Sequence, residues 1–279
     1  MDVGLQKIRA EKLRELHRGQ KILVLCNAWD AASARIFEQA GFPAIATTSA
    51  GIANSLGYAD GEFIPREMMI EAVRRIAAVV SVPVTADVEG GYGPSAEDAA
   101  QTARAVIQAG AVGMNFEDAF RETQLTDPSL QAERIKAIRE SASAAGVPLV
   151  LNARTDVYFS QQGEPSSWFG EAVRRANTYL EAGADCVFIP GVTNADVIGK
   201  LVREVHGPLN VLAVPGSPSF AELQRLGVRR VSLGSAPMRA TLGLARRIAR
   251  EILDSGTFAT IAEHAISYQE ANALFERSR

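Results

Sequence analysis

Cysteine and histidine are scarce in this chain of 279 residues, which has two of the first, Cys26 and Cys186, and three of the second, His17, His206 and His264. Their spacing matches no zinc motif, and two distant cysteines inside apolar runs give no disulfide framework; buried, reduced thiols are the expectation. No G-x-G-x-x-G follows the first apolar run, which weakens a dinucleotide-binding reading. No run is long enough to cross a membrane, and the charged N-terminal stretch lacks the apolar centre of a signal peptide, so a cytoplasmic protein is expected. A net charge of -3 without a long basic block argues against a nucleic-acid surface. The expected partner is a small polar molecule, with neither nucleic acid nor membrane.

What is present is enough apolar residue for a large core, 47 % of the chain against 22 % charged. Eight short apolar or β-branched runs recur: Ile22 to Cys26, Ala44 to Thr48, Val82 to Ala86, Ala111 to Phe116, Pro148 to Leu151, Cys186 to Ile189, Asn210 to Val214 and Arg230 to Leu233. Stretches of helical period lie between them, among them Arg66 to Val80, Ala96 to Ala109, Leu130 to Ala145, Glu171 to Ala182, Ala195 to Val205 and Ser219 to Leu226. Gly41, Gly110, Gly146, Gly183 and Gly227 each stand just before one of the apolar runs, where a left-handed cap would end a helix. Strands without polar alternation, alternating with helices, predict a parallel sheet buried on both faces, and eight such units predict a (β/α)8 barrel. The whole chain, 1–279, reads as one barrel domain, with an amphipathic N-terminal helix over 1–20 (Leu5, Ile8, Leu13 and Leu16 on its apolar side). A helical C-terminal extension over 237–279 follows, whose Ile261, Ile266, Leu274 and Phe275 would pack on this subunit or on a neighbour.

In such a barrel the site lies where strands end. Thr85-Ala86-Asp87-Val88-Glu89 ends the third apolar run, Asn115-Phe116-Glu117-Asp118 the fourth and Asn152-Ala153-Arg154-Thr155-Asp156 the fifth. Side chains alternate along a strand, so Asp87 can share a face with Glu89, Asn115 with Glu117, and Asn152 with Arg154; adjacent strands are about 5 Å apart. Carboxylates brought that close repel unless a cation lies among them or arginines pair with them. A hard cation such as Mg²⁺, with Mn²⁺ able to substitute, needs oxygen ligands and only one or two direct carboxylates. Zinc fits poorly, because no histidine stands at the end of a strand. For the same reason no His or Cys is placed to act as acid, base or nucleophile. Arg154 could hold a substrate carboxylate or a developing enolate, and Ser49-Ala50-Gly51 offers backbone N–H groups in a small-residue turn. Gly90-Gly91-Tyr92-Gly93 and the stretch Ala119 to Asp127 are the candidate mobile loops.

These stretches in this order, together with Asn27-Ala28-Trp29-Asp30, Thr47-Thr48-Ser49-Ala50-Gly51 and Leu56-Gly57-Tyr58-Ala59-Asp60, resemble the isocitrate lyase / phosphoenolpyruvate mutase superfamily over nearly the whole chain. The resemblance implies a Mg²⁺-dependent barrel enzyme that makes or breaks a C–C or P–C bond beside a 2-oxo or 2-hydroxy acid, through an enolate held by metal and arginine. It implies Asp87 as direct metal ligand, with Glu89, Glu117 and Asp60 holding metal-bound waters. It assigns Arg154 to the substrate, and Ser49, Ala50 and Gly51, with Asp87, to the substrate-binding wall; Arg154, Asp60 and Glu117 would be the catalytic set. It also implies a homotetramer, a dimer of dimers, with the last barrel helix swapped between subunits.

The chain departs from the pattern in two places. Glu89 stands where the family usually has Asp. After Glu117-Asp118, the lyases of isocitrate and methylisocitrate carry a loop with a catalytic cysteine, whereas Ala119 to Asp127 has no Cys, Lys or His. The P–C bond enzymes use an asparagine-bearing loop there and, in the mutase, a histidine after strand six; Thr123 and Gln124 are loose substitutes, and Pro190-Gly191 follows strand six. The chemistry with the fewest missing parts is a lyase of decarboxylase type on an oxaloacetate-like diacid. The alternatives are a phosphonopyruvate hydrolase or phosphoenolpyruvate mutase, a non-catalytic 2-oxo acid binding protein, and a phosphate-binding barrel using Gly216-Ser217 and Gly234-Ser235.

Overall fold

A ring of parallel strands encloses the lumen in the computed structural model, which describes residues 2–120 and 124–276. The strands are β1 (Leu23–Leu25 with Asn27–Ala28), β2 (Ile45–Thr47), β3 (Val84–Asp87), β4 (Gly113–Glu117), β5 (Val150–Arg154), β6 (Cys186–Phe188), β7 (Leu209–Leu212) and β8 (Arg230–Ser232). Each pairs in parallel with its neighbours in sequence. The ring closes through β1, whose first half pairs with β8 and whose second half pairs with β2. The break falls at Cys26, and the Asn27 side chain bridges it: its amide donates to the Thr47 carbonyl at 2.8 Å, and its oxygen accepts from Leu233 N at 2.9 Å and Gly234 N at 3.0 Å. This is the (β/α)8 barrel that the alternation of strands and helices predicts.

The predicted capping glycines do close their helices: Gly41, Gly110, Gly146, Gly183 and Gly227 have φ between 68° and 115°, a region L-residues avoid. Helix starts are fixed by side chains that accept from otherwise orphaned N–H groups. Ser95 and Asp98 form a capping box at the start of Ala96–Ala109, and Asp127 caps Pro128–Ala144. Helix Pro165–Glu181 starts six residues before the Glu171 expected from periodicity, because Pro165 at its first position supplies a preset φ that an apolar-period count does not register. Within the barrel strands, Cys26 and Cys186 are buried free thiols, pushed up to about 11 and about 12 by burial.

Helix α1 (Val3–Arg18) plugs the amino end of the barrel, but not by the stripe expected from its large residues. Its buried positions are Gln6, Ala10, Leu13 and His17, spaced for one helical face, while Leu5 and Ile8 are exposed. A polar Gln6 beats Leu5 and Ile8 to the interior because its amide donates to the Ile107 carbonyl at 2.8 Å. Leu13 packs with Leu23, Leu25, Val112 and Val150 under the lumen. Arg14 fastens the same face, donating to Asp185 Oδ1 at 3.1 Å and to the Pro148 carbonyl at 3.0 Å.

At the other terminus, helix Ala236–Ser255 buries only Met238 and leaves Leu242, Ile252 and Leu253 exposed. The expected helical stretch Ile261 to Phe275 is two short helices, Ala259–His264 and Tyr268–Ala273. Of its apolar residues Leu274 is buried against this chain, its carbonyl accepting from Arg35 Nε at 2.7 Å, whereas Ile261, Ile266 and Phe275 stay exposed. No helix among the described residues is long and apolar enough to cross a membrane.

Leu13→Ala is expected to lower the unfolding free energy by about 2–5 kcal/mol in a urea titration, as a fully buried leucine does when truncated. Ile8→Ala, on the exposed side of the same helix, is expected to change it by less than about 0.5 kcal/mol.

Candidate active site

Asp87, the last residue of β3, stands where three strands and one helix end meet. Its Oδ1 accepts from Asn115 Nδ2 at 2.8 Å, and Asn115 Oδ1 in turn accepts from Asn152 Nδ2 at 2.8 Å. The three residues are register partners on β3, β4 and β5, so the lumen-facing parity expected from the sequence appears as a hydrogen-bonded row across the sheet. Asp87 Oδ2 accepts from the backbone and the hydroxyl of Ser49, at 3.0 and 3.1 Å.

Ser49-Ala50-Gly51 is therefore not a plain turn. It is the first turn of helix Ser49–Ser55, with Thr48 as N-cap accepting from Gly51 N at 3.3 Å. The Ser49 N–H is committed to Asp87, and a side chain at Gly51 would meet Thr48 and the Trp29 Cβ at 2.5 and 2.8 Å. Gly51 is thus a packing residue.

Arg154, ending β5, is gripped from both sides. Its Nε and Nη2 donate to the two oxygens of Asp156 at 2.5 and 2.7 Å, and Nη1 donates to Glu117 at 2.7 Å. Burial acts to lower the guanidinium pKa, but the Glu117 and Asp156 carboxylates raise it further, so Arg154 stays charged. Burial likewise pushes Glu117 well up, against the pull of Arg154. The rings of Phe159 and Phe188 lie 5.6 and 5.8 Å from the guanidinium carbon. Behind Asp156 stands Asp118, whose Oδ1 accepts the Asp156 N–H at 3.0 Å. Its Oδ2 accepts from Arg175 at 3.0 Å and the Tyr179 hydroxyl at 2.6 Å. Asp118 thus belongs to the barrel wall and holds the residue that holds Arg154.

Glu89 is 3 % exposed and has φ 51°, which aims its carboxylate back under the loop before helix Arg66–Val79. Its Oε2 accepts from Gly61 N at 3.0 Å and Glu62 N at 2.5 Å, while Oε1 is buried with no hydrogen-bond partner. Burial, with Asp60 and Asp87 nearby, pushes this carboxyl up to about 8. The loop after it is not a hinge. Thr102 donates to the Gly91 carbonyl at 2.8 Å, Arg134 to the Gly90 and Gly93 carbonyls, and a Cβ on Gly91 would meet Phe116 at 2.7 Å. The glycines there serve close approach. The second candidate loop forms an antiparallel ribbon, Ala119–Phe120 with Gln124–Leu125; its Arg121, Glu122 and Thr123 lie outside the described residues.

A cavity of about 520 Å³ opens over these groups. Ser49, Ala50, Asp60, Asp87 and Arg154 line it, as do Asn27, Asn115, Asp156, Phe188 and Arg230; Gly51, Glu89 and Glu117 lie outside its lining. Arg230 had no place among the residues picked from the sequence. The signal that could have found it is a cation two positions before Ser232, on the lumen parity of the last strand.

Among the described residues, no three His, Cys, Asp or Glu side chains are grouped to hold a metal unaided. Mg²⁺ asks for less, since it keeps several waters and takes one or two direct carboxylates. Asp87 provides one on the cavity wall, and the unpartnered Oε1 of Glu89 beside like charges marks an excess of negative potential that a cation would relieve. The donor set fits the ion.

Glu89 ionises near 4.5 when unperturbed and about 8 in the fold, so between those values the native state keeps a proton that the unfolded chain has lost. In chelator, stability is expected to be highest below pH 4.5 with respect to this group and to fall as pH rises toward 8; Glu89→Gln should flatten that slope, as read by thermal unfolding. Added Mg²⁺ should raise the melting temperature most at the alkaline end.

Comparison with known proteins agrees with this architecture. A Burkholderia cenocepacia J2315 protein assigned to the lyases or mutases has a crystal structure that superposes with a TM-score of 0.91, at 37 % identity over 99 % of this chain and 98 % of that one. The 2-methylisocitrate lyase of Halalkalibacterium halodurans is 26 % identical over 264 residues, 90 % of this chain and 84 % of the relative. The oxaloacetate decarboxylase of Bradyrhizobium diazoefficiens is 28 % identical over 243 residues, 83 % and 81 % respectively. Residues 13–253 match the family described as phosphoenolpyruvate phosphomutase, and the chain belongs to that family, within the superfamily of isocitrate lyase and phosphoenolpyruvate mutase.

Proposed function

We propose that this protein is a Mg²⁺-dependent carbon–carbon lyase of decarboxylase type, acting on a small 2-oxo or 2-hydroxy dicarboxylic acid of the oxaloacetate kind. The observation that carries the reading is the cavity itself. It has Asp87 and Arg154 on its wall and no Cys, Lys or His among the described residues that line it. Such a site can gather negative charge, and its described acids are the carboxyls Asp60, Asp87 and Asp156, with no thiol, ammonium or imidazolium to protonate a departing anion. Carbon dioxide leaves without a proton, so decarboxylation suits it. The similarity to an oxaloacetate decarboxylase points the same way.

A bound divalent cation supplies Lewis-acid polarisation of the substrate's oxygen. Asp87 would hold it directly, with Glu89 and Glu117 acting through water; Glu117 already serves Arg154 and does not reach the cavity lining. Arg154 commits three N–H groups to Asp156 and Glu117, which leaves two of its five to face an oxyanion. Held charged and immobile, it stabilises the enolate as the C–C electron pair shifts toward oxygen. Asp60, on the same wall, completes the proposed catalytic set with Arg154 and Glu117 and would act through metal-bound water. Ser49 and Ala50 wall the substrate on the β2 side.

A P–C bond reaction is the second reading, favoured by the family's own description. Phosphate release from phosphonopyruvate would separate it from the first.

The assembly we propose is a homotetramer in which helix Ala236–Ser255 packs against a second copy, covering the exposed Leu242, Ile252 and Leu253. A cytoplasmic setting accords with the reduced thiols.

Purified with Mg²⁺, the protein is expected to release pyruvate from oxaloacetate above the background of Mg²⁺ alone, and to stop in chelator. Arg154→Met should lower kcat/KM by about 10²–10³-fold; wild-type turnover no better than the metal background would end this reading. Light scattering on Leu242→Glu should show a smaller particle than wild type, and a monomeric wild type would remove the assembly.

A further inference from the structure

We propose that Arg230, deep in the barrel, receives a second carboxylate of the substrate, so that the cavity holds a diacid by both ends with Arg154 at the other. The inference rests on the reading of the cavity as an oxo- or hydroxy-acid site and names the diacid length-wise contact that reading leaves open.

Arg230 is the first residue of β8, it is 2 % exposed, and it lines the same cavity as Arg154 and Asp87. The strand register places the two arginines on one row: Arg154 pairs with Phe188, Phe188 with Asn210, and Asn210 with Arg230. They are three strands apart in a ring of eight, nearly facing one another across the lumen.

Among the described residues Arg230 lacks both an ion pair and a good acceptor: buried Arg134, also without an ion pair, donates to Gln131 and to the Gly90 and Gly93 carbonyls, whereas Arg230 feels only the more distant pull of Asp87. Arg154 has Asp156 and Glu117, and Arg175 has Asp118. Among the described residues no carboxylate lies within ion-pair distance of Arg230. Its Nε is buried with no hydrogen-bond partner, and Nη1 reaches only His17 Nε2, at 3.4 Å. The His17 partner carries no charge. Its Nδ1 must donate to the Leu13 carbonyl, at 2.7 Å, leaving a bare lone pair on Nε2; burial and Arg230 hold the ring down to about 4. A guanidinium cannot shed its proton at any ordinary pH, so this charge persists inside the barrel. Buried charge without a partner is strongly unfavourable, and a carboxylate that enters the fork turns that cost into two charge-assisted hydrogen bonds. Ser232, on the same lumen parity and also lining the cavity, adds a hydroxyl that now exchanges hydrogen bonds with Asn210 at 3.1 Å.

The same chemistry could be met by a free inorganic anion, and the test separates the two. Malate and lactate share the 2-hydroxy acid end and differ in the second carboxylate. With Mg²⁺ present, calorimetric titration of wild type is expected to show malate bound about tenfold or more tightly than lactate. Arg230→Met should abolish that preference while leaving lactate affinity within about twofold, because lactate uses only the Arg154 end. Arg230→Lys keeps the charge without the fork and should give an intermediate ratio; it also serves if the methionine variant does not fold. An unchanged malate-to-lactate ratio in either variant, or no preference in wild type, overturns the proposal. If chloride alone stabilises wild type and not Arg230→Met, while the malate preference is unaffected, the guanidinium holds a free anion and the substrate assignment falls. Loss of preference in the variant, with no pyruvate formed from oxaloacetate by wild type, would keep the diacid site and discard the lyase.

Discussion

The half-buried guanidinium of Arg154 is the constraint to which most of the site answers. A charge at that depth is tolerable only when counter-charges and hydrogen bonds surround it. Glu117 and Asp156 do so directly. Both are buried acids, and Asp156 is in turn secured through its N–H to Asp118, and Asp118 by Arg175 and Tyr179. The chain of contacts runs from the lumen through the wall to the outer helix Pro165–Glu181. Removing any member would strand the others, so the network is fixed as a unit. Fixed charge is what an enolate-stabilising site needs, since groups already in place spend nothing on reorganisation when charge develops.

Asp87 is held by a different device. Its partners are neutral: the Ser49 N–H and hydroxyl, and an amide row through Asn115 and Asn152. Neutral donors steady a carboxylate without cancelling it. The wall around Asp87 therefore keeps a surplus of negative charge, and Glu89, pressed up to about 8 by burial and its acidic neighbours, records that surplus. Positive charge sits on β5 and β8 and negative charge on β3, with the cavity between. A cation on the acidic side and carboxylates on the basic side satisfy both without any change of fold.

Much of this was legible in the sequence, for reasons of period and punctuation. A parallel strand buried on both faces has no option but a short apolar run, and the left-handed glycines mark where each helix must stop, so the barrel follows from eight repeats of one pattern. Period-two alternation then put Asp87, Asn115, Asn152 and Arg154 on the lumen side. What the pattern could not tell was partnership. Glu117, Asp118 and Asp156 look alike as acids after strands, yet one serves Arg154, one the barrel wall and one both. Gly90, Gly91 and Gly93 read as a flexible run because the groups that pin them, Thr102 and Arg134, come from distant stretches of chain. The first turn Ser49-Ala50-Gly51 is too short to show helical period, and Gln6 displaces larger apolar residues through a contact 101 positions away. Arg230 was passed over because one charged residue at the start of a strand resembles the end of a loop.

A cavity without sulfhydryl, amine or imidazole among the described residues of its wall narrows the chemistry more than the acids and arginines widen it. Cleavage between two carbons leaves a pair of electrons on one fragment, and the other must depart either as a neutral molecule or with a proton delivered to it. Relatives named as a 2-methylisocitrate lyase and as an oxaloacetate decarboxylase both match this chain, so membership of the family does not select the reaction. The selection lies in what else lines the cavity with Asp87 and Arg154. Here a carboxyl, Asp60, and two aromatic rings, Phe159 and Phe188, occupy the wall. The rings flank the guanidinium with apolar surface and offer no proton. For the decarboxylation proposed above, a departing group that needs no proton, leaving from a substrate whose charge is concentrated at its ends, is the case these features suit.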